Sequence, residues 1–224
     1  MVKGIRKAVD KSFLFKNKQT IVFMGDSITD CQRRGQFFPY GSGYAKALID
    51  LVTARYPEKS FTFFNKGIGG NTVEDLSNRW YDDAIILKPD WISILVGIND
   101  LHRFLADSTV LPPHKYENLY RAILKRTRQE TKAKLILLEP FYISNDFKSG
   151  SFRSRVLKLI PDYIKVVRRL AAEFDTFLIK THDIFQKQLK YRMAETFYVN
   201  PVHPNPSGHL VIAYELLKTI NFNL

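Results

Sequence analysis

Residues 21–30 read Ile-Val-Phe-Met-Gly-Asp-Ser-Ile-Thr-Asp. The apolar run predicts a buried strand, and Gly25 marks the point where the chain leaves it. In α/β enzymes, a nucleophilic serine is commonly exposed at the turn between a strand and the following helix, which is the place of Ser27. Ser27 is therefore the candidate nucleophile, and its simpler interpretation is a helix N-cap.

Short apolar runs alternate with longer amphipathic stretches along the rest of the chain. The apolar runs predict strands over residues 20–24, 61–65, 91–96, 135–138 and 177–179. The amphipathic stretches predict helices over residues 44–55, 72–87, 115–131, 157–174 and 207–219. This alternation is typical of an α/β protein whose parallel sheet is covered by helices on both faces. Because no linker-like tract divides the chain, we expect one domain over residues 1–224, with an N-terminal extension over 1–18.

Small and hydrogen-bonding residues follow three of the predicted strands. Ser27 follows the first, Gly69-Gly70 the second and Asn99 the third. The carboxyl ends of parallel strands lie at the same edge of a sheet, so these loops should lie close together. Ligands of such proteins bind at that edge. The backbone N–H groups of Ser27 and Gly70 and the Asn99 amide could hold an oxyanion. Tight turns and N-caps are the plainer alternatives, and no Rossmann or Walker A sequence supports a nucleotide site.

A base for Ser27 is the next requirement. His203 is the best of the five histidines, because it lies in a proline-rich loop just before the last predicted helix. A loop histidine without a catalytic role is the alternative interpretation. Cys31 follows the serine motif closely, but it has no neighbouring base in the sequence and is interpreted as an inert thiol.

Composition narrows the class of protein. The chain has 224 residues with 45% hydrophobic content and one cysteine, so we expect a globular fold without an intrachain disulfide. The net charge of +12 is spread over predicted helix faces, and no nucleic-acid motif accompanies it. We expect no nucleic-acid partner, no membrane span, no cofactor and no metal, and a cytoplasmic location.

Four sequence blocks together resemble the SGNH, or GDSL-type, hydrolases: residues 25–30, 65–72, 97–100 and 202–204. The resemblance implies a flavodoxin-like, three-layer α/β/α sandwich and metal-independent ester hydrolysis. It further implies that Ser27 is the nucleophile and His203 the base, and that Ser27, Gly70 and Asn99 form the oxyanion hole. Asp26 then orders the nucleophile loop without acting as the third catalytic residue.

Further segments are similar to the acetyl xylan esterase-like branch of that family, among them residues 71–76, 88–91 and 140–143. The resemblance implies a carbohydrate ester substrate, such as an acetylated xylo-oligosaccharide. It is also compatible with a homo-oligomer, because some members of the branch are multimeric.

Asn200 departs from the family pattern, which has an aspartate three residues before the histidine. An aspartate orients the imidazole and stabilises its charged form, whereas an asparagine carbonyl can accept a hydrogen bond but carries no charge. In serine proteases the same replacement lowers kcat by about ten-thousand-fold. Three interpretations stay open: a weak Ser–His esterase, substitution by another acid (Asp26, Asp100 or Glu139), or an engineered change at position 200.

The leading hypothesis is a serine esterase that removes acetyl groups from a carbohydrate, with Ser27, His203 and Asn200 as its catalytic residues. A lysophospholipase or arylesterase is the alternative within the same class. A catalytically impaired relative that binds acetylated sugar is the alternative from a different class, and Asn200 motivates it.

Overall fold

The structure is a computed structural model in which residues 13–221 are described. Its central sheet has five parallel strands: β1 Thr20–Gly25, β2 Thr62–Gly67, β3 Trp91–Leu95, β4 Lys134–Leu138 and β5 Phe177–Ile179. Their spatial order is β2-β1-β3-β4-β5, the flavodoxin-like order. The prediction of a five-stranded parallel sheet is confirmed.

Helices cover both faces of this sheet. They are α1 Ser27–Asp30, α2 Tyr44–Arg55, α3 Val73–Asn78, α4 Trp80–Asp83, α5 Ile98–Ala106, α6 Pro113–Glu130, α7 Phe152–Glu173, α8 Thr181–Gln188 and α9 Pro206–Ile220. Helices α2 and α9 pack together on one face, and α3, α6 and α7 pack together on the other. Strand β3 is buried along its whole length, as expected for a strand with helices on both sides.

The predicted helix over residues 72–87 is wrong as one element. It is divided into α3, α4 and a 3-10 turn, Ile85–Leu87, and the break falls at Arg79. Arg79 leaves the helical conformation at φ −108° and ψ 9°. Its guanidinium donates to the carbonyl oxygens of Lys66 and Gly25, at 2.8 Å and 3.1 Å, so tertiary contacts override the helical pattern.

Two short strands outside the main sheet complete the region around His203. They are β6 Tyr198–Asn200 and β7 His203–Pro204, which form an antiparallel hairpin in which Asn200 pairs with His203. The hairpin sets these two side chains next to each other just before α9.

The segment 13–18 of the predicted N-terminal extension contributes to the core. Phe13 and Phe15 are buried, and the rings of Phe15 and Trp91 lie 5.0 Å apart. Residues 1–12 of that extension lie outside the described residues. Within residues 13–221, none of the helices is long and apolar enough to span a membrane.

Candidate active site

Ser27 and His203 meet at the carboxyl edge of the sheet. Ser27 is the first residue of α1, directly after the end of β1, and Asp26 caps that helix by accepting the Ile28 N–H at 2.9 Å. The Ser27 Oγ lies 2.9 Å from the Nε2 atom of His203, across 176 residues of sequence. The two residues predicted to act as nucleophile and base are thus within hydrogen-bond distance.

The Asn200 side chain lies on the other side of the imidazole. Its Oδ1 accepts the backbone N–H groups of Val202 and His203, at 3.0 Å and 3.1 Å. The same oxygen lies 3.1 Å from the Nδ1 atom of His203. Because the two backbone groups are donors, they require the amide oxygen, rather than the NH2 group, at this position. The hydrogen therefore sits on Nδ1, and Nε2 is left as the acceptor for the Ser27 hydroxyl.

The three carboxylates considered as substitutes are engaged elsewhere. Asp26 caps α1, Asp100 accepts the Val73 N–H at 3.0 Å, and Glu139 pairs with Arg168 at 2.5 Å. Burial raises the pKa of Asp26 and of Asp100 to about 7. Among the described residues, the side-chain contact at Nδ1 of His203 is made by Asn200.

The predicted oxyanion donors lie at the start of α1, on the loop after β2 and in the first turn of α5. Gly70 has φ +79°, in the left-handed region that favours glycine, and an added Cβ would meet nothing within 4 Å. The Asn99 Nδ2 donates one hydrogen to the Asn71 carbonyl oxygen at 3.0 Å, so its second hydrogen stays available. Ser27 opens α1, and the N–H group at that position has no partner within the helix.

Two positioning residues were not identified from the sequence. Asp30 accepts the Gly69 N–H at 3.1 Å and so ties the Gly70 loop to α1. Arg79 donates to the Asn71 side chain at 2.8 Å, and its bonds to Gly25 and Lys66 join the ends of β1 and β2. Asp30 lies inside one of the segments that resemble the SGNH hydrolases, but its place in the sequence does not reveal its partner.

Burial, partial for His203 and nearly complete for His209, affects the charge state of both. It lowers the pKa of His203 below its usual range, which favours the neutral imidazole that a base requires. It lowers the pKa of His209 to about 4, and the Nδ1 atom of His209 accepts the Tyr44 N–H at 3.2 Å. Burial also raises the pKa of the Cys31 thiol to about 12, which agrees with an inert thiol, although Cys31 is partly exposed.

A groove opens beside the Ser27–His203 pair. Its volume is about 460 Å³, and it runs along the loop after α1 toward the start of α9. The His102 ring lies 5.5 Å from Phe152 and 6.4 Å from Tyr142, and these three side chains do not line the groove. Within residues 13–221, no three His, Cys, Asp or Glu side chains are grouped so that they could hold a metal ion.

Comparison with known proteins gives consistent matches over nearly the whole chain. Residues 23–211 match the GDSL-like Lipase/Acylhydrolase family. An acetylxylan esterase of Geobacillus stearothermophilus is 36% identical over 212 residues, which is 91% of this chain and 94% of that protein. The crystal structure of Axe2, an acetylxylan esterase from the same organism, has a TM-score of 0.82 and 34% identity, and the match covers 91% of this chain and 94% of that one. LAE5, an alpha/beta hydrolase from the metagenome of Lake Arreo, has a TM-score of 0.82 at 32% identity and covers 93% of this chain and 97% of its own.

Catalytic mutants of Axe2 are also among the similar structures. In them an aspartate, a serine or a histidine is replaced by alanine, and the aspartate stands three positions before the histidine. In the present chain Asn200 stands three positions before His203.

Proposed function

Because the chain belongs to the GDSL-like lipase/acylhydrolase family and is homologous to a carboxylic ester hydrolase, we propose that it removes O-acetyl groups from a carbohydrate. An acetylated xylo-oligosaccharide is the substrate that the similarity to acetylxylan esterase favours. The proposal assigns Ser27 as nucleophile, His203 as base and Asn200 as the residue that orients His203.

One observation carries this proposal: a continuous chain of contacts from Asn200 through His203 to Ser27. The distances are 3.1 Å from Asn200 Oδ1 to His203 Nδ1 and 2.9 Å from His203 Nε2 to Ser27 Oγ. A serine hydroxyl is a weak nucleophile unless a base of this kind accepts its proton. The chain of contacts supplies that base in the required tautomer.

The first half of the reaction forms an acetyl-enzyme. Ser27 Oγ attacks the acetyl carbonyl carbon while His203 Nε2 takes the hydroxyl proton. The carbonyl oxygen becomes an oxyanion, which the N–H groups of Ser27 and Gly70 and the Asn99 amide stabilise. His203 then gives its proton to the sugar oxygen, the C–O bond breaks, and the alcohol departs.

The second half restores the enzyme. A water molecule gives a proton to His203 Nε2 and attacks the acetyl carbonyl carbon, through a second oxyanion held by the same donors. The bond to Ser27 Oγ then breaks, that oxygen recovers the proton from His203, and acetate leaves.

Asn200 makes this mechanism slower than that of a relative with aspartate. During attack the imidazole becomes an imidazolium, and a carboxylate stabilises that charge more strongly than a neutral amide oxygen does. Orientation of the ring is retained, while electrostatic stabilisation of the transition state is reduced.

The test is acetate release from acetylated xylo-oligosaccharides by the unchanged chain and by Ser27→Ala, with exposed Ser207→Ala as the matched control. We expect steady release that Ser27→Ala abolishes and Ser207→Ala retains. Release that persists in Ser27→Ala would contradict the mechanism. Faster turnover of a lysophospholipid or a phenyl ester than of the oligosaccharide would favour the lysophospholipase or arylesterase alternative.

Asn200 supports a second candidate function, the binding of acetylated sugar without efficient turnover. Saturable binding of the oligosaccharide by calorimetry, with no acetate release and no labelling of Ser27 by an organophosphorus ester, is the result that this alternative predicts. Labelling of Ser27 would instead support an activated nucleophile.

A further inference from the structure

The groove beside Ser27 begins at the catalytic pair. Ser27 and His203 line it together with Phe37, Ser42 and Val199. It lies along the His203 side of the nucleophile and has no residue in common with the Gly70 and Asn99 loops. The groove is therefore lined by Ser27 and His203 and not by the other predicted oxyanion donors, Gly70 and Asn99.

The proton that His203 gives to the leaving oxygen indicates which part of the ester lies in the groove. The imidazole that takes the proton of Ser27 must return it to the leaving oxygen, so the leaving alcohol lies next to His203 Nε2. We propose that this groove binds the alcohol part of the ester, as a neutral sugar ring laid against Phe37 with Gln32 contacting its hydroxyl groups. This inference rests on the proposed function, since it names the subsite for the same substrate.

The walls of the groove are uncharged in a strongly basic protein. The chain carries a net charge of +12, yet among the described residues that line the groove there is no Lys, Arg, Asp or Glu. His209, on the floor, stays neutral at physiological pH because burial lowers its pKa to about 4. Such a lining suits a neutral alcohol and offers no cationic side chain to a phosphorylated one.

Phe37 offers an aromatic surface to this ligand. Its side chain is 40% exposed, and it lines the groove on the loop between α1 and α2. The flat face of an aromatic ring packs against the C–H groups of a sugar while the sugar hydroxyls reach outward. Neighbouring Phe38 is 78% exposed but lies outside the groove, which gives a matched control in the same loop.

Gln32 and Asn205 differ in their availability to a ligand. The Asn205 Oδ1 accepts the Gly208 N–H at 3.1 Å, and its NH2 donates to the Glu195 and Thr196 carbonyl oxygens. For Gln32, also at the groove, no hydrogen bond of the side-chain amide is present within the described part of the chain. Cys31 and Gln32 both have positive φ, 41° and 63°, a backbone arrangement that is costly for residues with side chains and that directs this turn along the groove.

The experiment compares Phe37→Ala with Phe38→Ala on two esters. An acetylated xylo-oligosaccharide fills the groove, whereas ethyl acetate has too small an alcohol to reach Phe37. For Phe37→Ala we expect kcat/KM on the oligosaccharide to fall about tenfold, mainly through KM, with ethyl acetate unchanged. Phe38→Ala should leave both reactions unchanged, and Gln32→Ala should resemble Phe37→Ala.

Three outcomes would overturn the inference. Equal losses in Phe37→Ala and Phe38→Ala, or equal losses on both esters, would remove the groove from substrate binding. A normal kcat/KM of Phe37→Ala on the oligosaccharide would show that the sugar does not lie against Phe37. If the unchanged chain releases acetate from the oligosaccharide in these cases, the proposed function survives. If the unchanged chain hydrolyses neither ester, the proposed function fails as well.

Discussion

Asn200 is held in the orientation that a neutral partner of His203 needs. Its Oδ1 receives two backbone N–H groups and faces Nδ1 of His203. Rotating the amide by half a turn would set its NH2 group against these donors and break both hydrogen bonds, each of which contributes about 0.5–1.5 kcal/mol. Asn200 therefore favours the His203 tautomer with its hydrogen on Nδ1, but it does not supply the negative charge of an aspartate.

Asn99 gives a test of the oxyanion site at the scale of one side chain. Its Nδ2 is oriented by the Asn71 carbonyl oxygen at 3.0 Å. Replacing it as Asn99→Ala removes one donor from the developing oxyanion, so we expect kcat for acetate release to fall about 10²- to 10³-fold with little change in KM. Steady-state kinetics on the acetylated oligosaccharide measure both constants.

Asn118→Ala is the control for that variant, because Asn118 is exposed on α6, away from the site. It should leave kcat and KM unchanged. An Asn99→Ala variant with normal kcat, or one whose loss lies wholly in KM, would contradict the role of Asn99 as an oxyanion donor.

Contacts between elements hold the three loops of the site together. Asp30 of α1 binds the Gly69 N–H at 3.1 Å, and Asp100 of α5 binds the Val73 N–H at the start of α3 at 3.0 Å. Asp100 is fully buried, and its Oδ2 atom has no hydrogen-bond partner among the described residues. This carboxyl group therefore joins two helices, although burial of its charged form is energetically unfavourable.

Asp100→Asn gives a prediction about pH-dependent stability. Burial raises the pKa of Asp100 from 3.8 in the unfolded reference to about 7 in the folded protein. The folded state thus binds more protons between those values, so this group lowers the free energy of unfolding as pH rises through 7. Asp100→Asn changes the free energy of unfolding relative to the unchanged chain. We expect that change to be about 2 kcal/mol more stabilising at pH about 8.5 than at pH about 5.

Urea unfolding at the two pH values measures this difference, and constant effects of the substitution cancel in it. Exposed Asn118→Ala is the control, because it removes no titratable group and should change the free energy of unfolding equally at both pH values. The prediction for Asp100 fails if Asp100→Asn changes the free energy of unfolding equally at both pH values, or more favourably at the lower one.

The strands were predictable at this scale, and several other elements were not. Residues 91–96 form a continuous apolar run, which matches the buried strand β3, because strands between two helical layers lose their polar alternation. The sequence does not predict helix α5, because Gly97 and the hydrogen-bonding residues after it are typical of a loop. The hairpin of β6 and β7 was missed because strands of three and two residues are too short to show a pattern.

Across the whole molecule, the sequence predicts those site residues whose position follows from the order of the strands along the chain. Ser27, Gly70 and Asn99 follow successive strands whose carboxyl ends meet, and the structure has them on neighbouring loops beside His203. The partners of Asp30 and Arg79 were not predictable, because a carboxylate or a guanidinium bound to backbone atoms has no fixed sequence spacing. The groove was not predictable either, since it is formed by the loop after α1 and the hairpin, which are distant in sequence.

The central claim is that an intact Ser–His esterase is slowed by a neutral residue at position 200. The most direct measurement is the pH dependence of acetate release from acetylated xylo-oligosaccharides, for the unchanged chain and for Asn200→Asp. We predict that kcat rises about 10²- to 10⁴-fold in Asn200→Asp. The acid limb of kcat/KM should also move to higher pH, because a carboxylate beside His203 raises its pKa from the lowered value that burial gives it. A folded Asn200→Asp variant with unchanged kcat and an unmoved acid limb would contradict the account.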